Sequence, residues 1–268
     1  MLNFQIRLLI IALRTWSRFP FSDRLPASVE PPSEWLARST RYAPLVGLLV
    51  AIPTALAYAL AGLWLPHPVA LLAALATGML LTGSMHERAF AALCDGLGAH
   101  FDPRRARAAM RNGNRGSMAT LGLVMLMLAK FETLSSIDPT WIGVCLVCAA
   151  AISRGCAVLV MSTLSPALSD DARAPAAPNG LDLGIASACA VMPLLAATMW
   201  TGDAGVFMTG GGLAVIAALV VRRLAARRLE GHTRECFGGV QQFAELAFHV
   251  GVLATLAIVD ETPADSAS

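Results

Sequence analysis

Between Tyr42 and His86 the chain carries no Asp, Glu, Lys or Arg, and only the Pro66-His67-Pro68 triplet breaks the apolar run. Two rings with fixed φ and no amide hydrogen end one helix there and start the next, so the pattern predicts spans over 43–65 and 69–85. Apolar stretches recur at 117–129, 141–164, 184–200, 205–221 and 236–259. A helix needs roughly 20 residues to cross a bilayer, which most of these supply. The stretch 117–129 is the shortest and reads as a tilted or re-entrant element. The expected fold is an all-α polytopic bundle of roughly seven spans, one integral membrane domain over 1–268.

The polar positions alternate in kind from one side of the spans to the other. Arg7, Arg14, Arg18, Arg24, Arg38 and Arg41 precede the first span, and Arg88, Arg104, Arg105, Arg107, Arg111 and Arg115 separate the second from the third. Arg222, Arg223, Arg227, Arg228 and Arg234 precede the last. Loops around Pro66, 132–138 and Asp203 are poor in Arg. Basic loops stay in the cytoplasm, which predicts a cytoplasmic amino terminus, an external carboxyl terminus and a multi-pass protein of the bacterial inner membrane. The segment 165–182 fits this least, because Asp170, Asp171 and Asp182 stand there against Arg173. Residues 3–21 have a short apolar core broken by Arg14 and Arg18 and no small-residue cleavage site. They predict an amphipathic helix on the inner surface, within a cytoplasmic segment 1–41, rather than a cleaved signal. The tail 260–268 is acidic.

Composition narrows the class further. Of 268 residues, 56% are hydrophobic and 14% charged, and the mean hydropathy is +0.62, which excludes disordered, collagen-like and disulfide-scaffold chains. A formal net charge of +2 supplies no sequence-wide basic field, so nucleic acid is not an expected partner and the lipid bilayer is. The six Cys are scattered, and Cys145 and Cys148, inside an apolar span, read as small core residues. No internal repeat is visible, which counts against a secondary transporter.

Polar groups within a bilayer cost free energy unless they pair or work in a site, so chemistry is sought where they gather. One gathering is 86–97, continuing through an Arg-rich segment to 111–117. A second is Gly231-His232-Thr233-Arg234-Glu235 followed by Gln241, Gln242 and Glu245, with His249 one turn on as an interior histidine. The third is Arg154, alone in its span.

These segments resemble the adenosylcobinamide-GDP ribazoletransferases, or cobalamin synthases, which complete the lower nucleotide loop of vitamin B12. Thr40-Arg41-Tyr42 with Pro44-Leu45-Val46-Gly47 is similar to that family's entry to its first span. Leu81-Thr82-Gly83 with His86-Glu87 and Asp95-Gly96 resembles its Leu-Thr-Gly-x-x-His-Glu-Asp-Gly-Leu-Ala-Asp-x-x-Asp-Gly signature, and 110–116 lies where it has Met-Lys-Asp-Ser-Arg-Val-Gly. Ser153-Arg154 matches its Ser-Arg pair. Gly231-His232-Thr233 through Cys236, Gly238, Gln241-Gln242 and Ala244-Glu245-Leu246 tracks its last motif. Five matches in order and at spacing, nearly end to end, make the resemblance specific.

The resemblance implies transfer of the GDP-activated cobinamide phosphoryl group to α-ribazole or its 5′-phosphate, with release of GMP and with Mg²⁺ as cofactor. It implies His86, Glu87 and Asp95 as catalytic residues and Asn112, Asn114, Arg115, Arg154, Thr233, Gln241 and Glu245 as substrate-binding residues. Asp95, Glu87 and Glu235 are the metal ligands it implies, on an active face turned to the cytoplasm. It leaves open a homo-oligomer or an association with enzymes of the late cobalamin pathway. The departures fall on carboxylates: Arg88, Ala92 and Asn112 stand where the family has Asp, and Arg234-Glu235 where it has Gly-Asp. Positions 88, 92 and 95 share a helix face by their i, i+4, i+7 spacing, and only Asp95 remains acidic on it. Arg111, Arg115 and Arg154 supply charge that suits a diphosphate. Arg104, Arg105 and Arg107 read as positive-inside charge near lipid. Three readings stay open: a working transferase with a rearranged metal site, a non-catalytic homologue that binds corrinoid precursors or supports a biosynthetic complex, and a transporter.

Overall fold

The structure, a computed structural model, describes residues 2–19, 32–112, 115–167 and 177–261. Asn114, the Asp170 to Arg173 charges and most of the acidic tail lie outside them. Among the described residues there are helices and no strand. They are α1 (Leu2–Trp16), α2 (Ser33–Ser39), α3 (Ala43–Ala61), α4 (His67–Thr82), α5 (Met85–Ala99), α6 (Pro103–Arg111), α7 (Ser117–Ser135), α8 (Pro139–Thr163), α9 (Gly180–Thr201), α10 (Ala204–Arg228) and α11 (Arg234–Glu261). A 3₁₀ turn, Thr40–Tyr42, joins α2 to α3.

All seven apolar stretches are helical. Six helical segments are long and apolar enough to cross a membrane, and the pair α4 and α5 makes a seventh that is bent by 87°. The short crossing is therefore α4 and not the third stretch. α7 continues past Ala129 for a total of 19 residues, because Lys130 is buried against partners on α11 instead of facing water. α4 spans 16 residues, about 24 Å at 1.5 Å per residue, and ends where Gly83 and Ser84 both take left-handed backbone, with φ of 60° and 53°. Position 83 favours glycine for that reason, and Arg18 of the incoming chain packs directly on it. The Arg18 amide donates to the Leu81 carbonyl at 2.6 Å, so the end of α1 fixes the turn from which α5 departs.

α8 is the centre of the bundle, mostly buried, and it packs against α3, α9, α10 and α11. Its small residues, Ala149 to Ala151 and Gly155, permit that crowding. α3 reaches it through Gly47, where a methyl group would overlap the Ala150 carbonyl and the stem of Arg154. At the far end of the bundle Tyr58 Oη lies 2.7 Å from His67 Nδ1, beside the exposed Asp138 that caps α8. Hydrogen bonds from the Thr140 side chain and amide hold the Asp138 carboxyl below its usual range.

The Arg-rich end carries the elements that do not cross. α1 buries Leu8, Ala12 and Trp16, with Trp16 stacked on Phe237 of α11 at 3.9 Å. Arg41 meets Asp182 of α9 at 3.1 Å in a fully buried ion pair, which ties the 3₁₀ turn to the start of α9. Arg104 and Arg105 are exposed as expected, whereas Arg107 is only 8% exposed. It donates to the Leu229 carbonyl at 2.6 Å and faces Glu230 at 3.4 Å, and Arg228 donates in return to the carbonyls of Leu97 and His100. Arg107 is thus a strut between α6 and α10, because the loop carbonyls after α10 have no helical partner of their own.

Candidate active site

α5 leaves the Gly83-Ser84 turn and crosses α11 and α7, which places His86 and Glu87, in its first turn, toward the middle of the bundle. Opposite them, Gln241, Gln242 and Glu245 project from α11, Ser153 and Arg154 from α8, and Lys130 from α7. Lys130 lies 13 residues into α7 and Glu245 lies 11 into α11, roughly 20 and 16 Å from the Arg-rich ends of those helices. Here four charged groups meet inside the membrane region, two of each sign. They line a cavity of about 60 Å³, together with His86 and the two glutamines.

The hydrogen bonds in this cluster run in one direction. Lys130 Nζ donates to Gln242 Oε1 at 2.6 Å and lies 3.2 Å from Glu245 Oε1. An ammonium has no acceptor, so the Gln242 oxygen must face it and the Gln242 amide must face elsewhere. That amide donates to Glu87 Oε1 at 3.1 Å and to Gln241 Oε1 at 2.9 Å. Gln241 in turn donates to Ser153 Oγ at 3.3 Å and, through a short bond, to Glu245 Oε2. Arg154, 3% exposed, donates to the Ala150 carbonyl at 2.9 Å and leaves its Nε buried without a partner. His86 Nε2 and Glu87 Oε2 are likewise buried and unpartnered. Three orphaned polar atoms around one cavity are costly unless a ligand or water satisfies them, which makes it the candidate site.

Asp95 lies elsewhere. It is eight residues beyond Glu87 on the same helix, about 12 Å away, and it faces the start of α7. Its Oδ2 accepts from the Gly116 amide at 2.6 Å and its Oδ1 from the Ala119 amide at 2.8 Å. A second cavity of about 220 Å³ opens beside it, lined by Asp95, His100, Asn112, Gly116 and Ser117 among others. Arg115 borders this region, exposed, with Nη1 bonded to the Met110 carbonyl at 3.2 Å.

The expected site residues therefore divide. His86, Glu87, Arg154, Gln241 and Glu245 come together around the interior cavity. Asp95 and Asn112 line the second cavity, with Arg115 next to its Gly116 wall. Thr233 and Glu235 are half-buried at the start of α11, where the Thr233 amide donates to Cys236 Sγ at 3.4 Å. Beside Thr233, His232 is buried with both ring nitrogens unpartnered, and burial lowers its basicity. The motifs do not reach Lys130, whose charge in the sequence marks only the end of an apolar stretch. One signal does point to it: it is the only lysine in a chain that otherwise uses arginine, and it follows an uncharged run from Gly116 to Ala129.

The donor set does not fit a divalent cation bound by carboxylates. Among the described residues no three His, Cys, Asp or Glu side chains are placed to share a metal ion. Asp95 has both oxygens committed to amides, Glu87 lies in the other cavity, and Glu235 is ten residues before Glu245 on α11. Of the positions that form one face on paper, Arg88 is exposed whereas Ala92 and Asp95 are buried, because α6 and α7 cover only the second half of α5.

A helical membrane bundle with a polar cluster of charged and amide side chains at its interior belongs to the class of polytopic membrane proteins with an embedded site. The particular kinship is explicit: the chain belongs to the cobalamin-5-phosphate synthase family, whose model matches residues 8–253. An adenosylcobinamide-GDP ribazoletransferase of Azorhizobium caulinodans is 34% identical over 248 residues, covering 90% of this chain and 93% of the relative. That of Leptothrix cholodnii is 36% identical over 259 residues, covering 93% and 96%. That of a Polaromonas species is 29% identical over 282 residues, covering 94% and 98%. No solved structure matches the chain.

Proposed function

We propose that the chain catalyses the reaction for which its relatives are named. It joins GDP-activated adenosylcobinamide to α-ribazole, or to α-ribazole 5′-phosphate, and gives adenosylcobalamin, or its phosphate, and GMP. A free ribose hydroxyl of the ribazole, one other than the 5′ position that carries the phosphate in α-ribazole 5′-phosphate, forms a bond through its oxygen to the cobinamide phosphorus. The bond from that phosphorus to the GMP oxygen breaks, and the hydroxyl proton passes to a neighbouring acceptor. Such a transfer requires the diphosphate charge to be neutralised and the attacking and leaving oxygens to be held in line.

One observation carries the reading: motif residues from three separate stretches, His86-Glu87, Arg154 and Gln241-Gln242-Glu245, line a single cavity with unsatisfied polar atoms. Arg154 supplies fixed positive charge to a phosphoryl oxygen, and Gln241 holds the cavity wall in shape through its bond to Ser153. His86 and Glu87, whose Nε2 and Oε2 are buried without partners beside the cavity, are the acceptors proposed for the hydroxyl proton. Asn112, Arg115 and, by its place in the sequence, Asn114 are assigned to substrate binding at the Arg-rich mouth, apart from the phosphoryl group at Arg154, with Asp95 ordering that rim; Thr233 is assigned to substrate binding at the start of α11. We assign Mg²⁺ no step, and expect its binding to be weaker than in a relative with the full carboxylate set, since a hard cation depends on anionic oxygens. The Arg-rich end faces the cytoplasm of a bacterial inner membrane in this reading.

Purified protein in detergent, supplied with GDP-cobinamide and α-ribazole, should release GMP in step with cobalamin. Folded protein that releases neither would exclude the transferase reading.

A further inference from the structure

Two cations and two carboxylates share the interior cluster, and their pairing is uneven. Left to itself in a low-dielectric interior, a guanidinium takes the nearest carboxylate, preferably with both forks. Glu245 and Glu87 are the carboxylates whose charge reaches Arg154, yet neither is hydrogen-bonded to it. Both Glu245 oxygens are engaged, one 3.2 Å from Lys130 Nζ and the other by Gln241. Glu87 is turned to the Gln242 amide at 3.1 Å, and Gln242 holds that orientation because its own oxygen accepts from Lys130 at 2.6 Å. Arg154 keeps a backbone carbonyl and an unpartnered Nε beside a cavity of about 60 Å³.

We propose that Lys130 is a positioning residue: it holds Glu245 directly and Glu87 through Gln242, and so reserves Arg154 for an anionic ligand of the phosphoryl class. Lys130 need not touch that ligand. Its donor-only ammonium fixes the sense of both glutamine amides, which a neutral side chain, able to accept as well as donate, would not do. Without it, Glu245 swings to the Arg154 guanidinium and closes the site from within. The inference rests on the reading that the cavity takes a phosphoryl group, and it adds a residue outside every motif that carries the resemblance.

The test is binding of two probes, inorganic pyrophosphate and GDP-cobinamide, to the full-length protein in detergent. Arg154→Gln and Lys130→Gln should each weaken both by about tenfold or more, a change of roughly 1.4 kcal/mol. The double variant Lys130→Gln with Glu245→Gln should recover most of that loss, because the carboxylate that Lys130 held directly has gone with the ammonium and only Glu87, still faced by the Gln242 amide, remains to compete. A residue that touches the ligand would not be rescued by removing its partner, and a merely structural ion pair would show its loss and rescue in the thermal melting of the variants and not in the affinity of the folded protein. Undiminished affinity in Lys130→Gln, or a double variant as weak as the single, overturns the proposal. If Lys130→Gln does not fold, Glu245→Gln alone decides: affinity at least equal to the parent supports the proposal, and a tenfold loss overturns it. A parent that binds pyrophosphate but not GDP-cobinamide refutes the substrate reading while leaving the Lys130 comparison intact. A parent that binds neither refutes Arg154 as an anion-binding residue and the proposal with it.

Discussion

Two carboxylates on one helix have different surroundings in this protein. Asp95 accepts from two backbone amides, which satisfy its oxygens at 2.6 and 2.8 Å, whereas Glu87 keeps one oxygen buried and unpartnered beside a cavity. Neither is where a carboxylate-bound cation would need it, and the replacements Arg88, Ala92 and Asn112 remove the oxygens that the family pattern would add. Turnover by the parent should therefore respond weakly to added Mg²⁺ or to a chelator. The combined variant Arg88→Asp, Ala92→Asp and Asn112→Asp should gain a dependence on divalent cation, since two of those positions adjoin or line the Asp95 cavity. Titration of activity against Mg²⁺ measures it, and equal cation dependence in parent and revertant would remove those positions from any metal role. At this scale the sequence is legible where a motif carries the residue, as for Arg154 and Gln241. Lys130 escapes because a cation at the edge of an apolar stretch looks like a helix end until its partners on α11 are known.

Elements are legible from averages over some 20 residues, which hydropathy reports well, and every apolar stretch is helical. The break between α4 and α5 is not, because it depends on two consecutive left-handed residues, Gly83 and Ser84, within a still apolar context. Nor does spacing reveal that Asp95 caps another helix: the partner amides lie 21 and 24 residues on. α7 begins without a side-chain cap from its own Gly116, and Asp95 of α5 supplies that function from outside. Asp95→Ala should cost about 1–3 kcal/mol through the lost cap and the stranded amides. For a protein of this size that lowers the melting temperature by roughly 2–4 °C per kcal/mol. Thermal melting in detergent checks this, and an unchanged midpoint would show that the two amides find other partners at no cost.

Across the whole molecule, charge and architecture agree. Arg-bearing segments, the non-crossing helices α1, α2 and α6, and the start of α11 gather at one end, whereas the turns near Pro66, Asp138 and Asp203 occupy the other. Among the described residues, two carboxylates at the Arg-rich end form struts between elements: Asp182 with Arg41, and Glu230 with Arg107. Loop charge then sets orientation, and reporter fusions after Asp203 and after Arg223 should read opposite sides of the membrane. Equal readings would refute the topology and the shared facing of the two cavities.

If the interior cluster is the place where the transferase meets its phosphoryl group, Arg154 is the residue on which that meeting depends. The direct measurement is cobinamide-dependent growth of bacteria lacking their own ribazoletransferase, with the parent and the Arg154→Gln variant present in the membrane in equal amount. Growth should return with the parent and fail with the variant. Equal growth with both would contradict the role of the cluster, as would no growth with the parent.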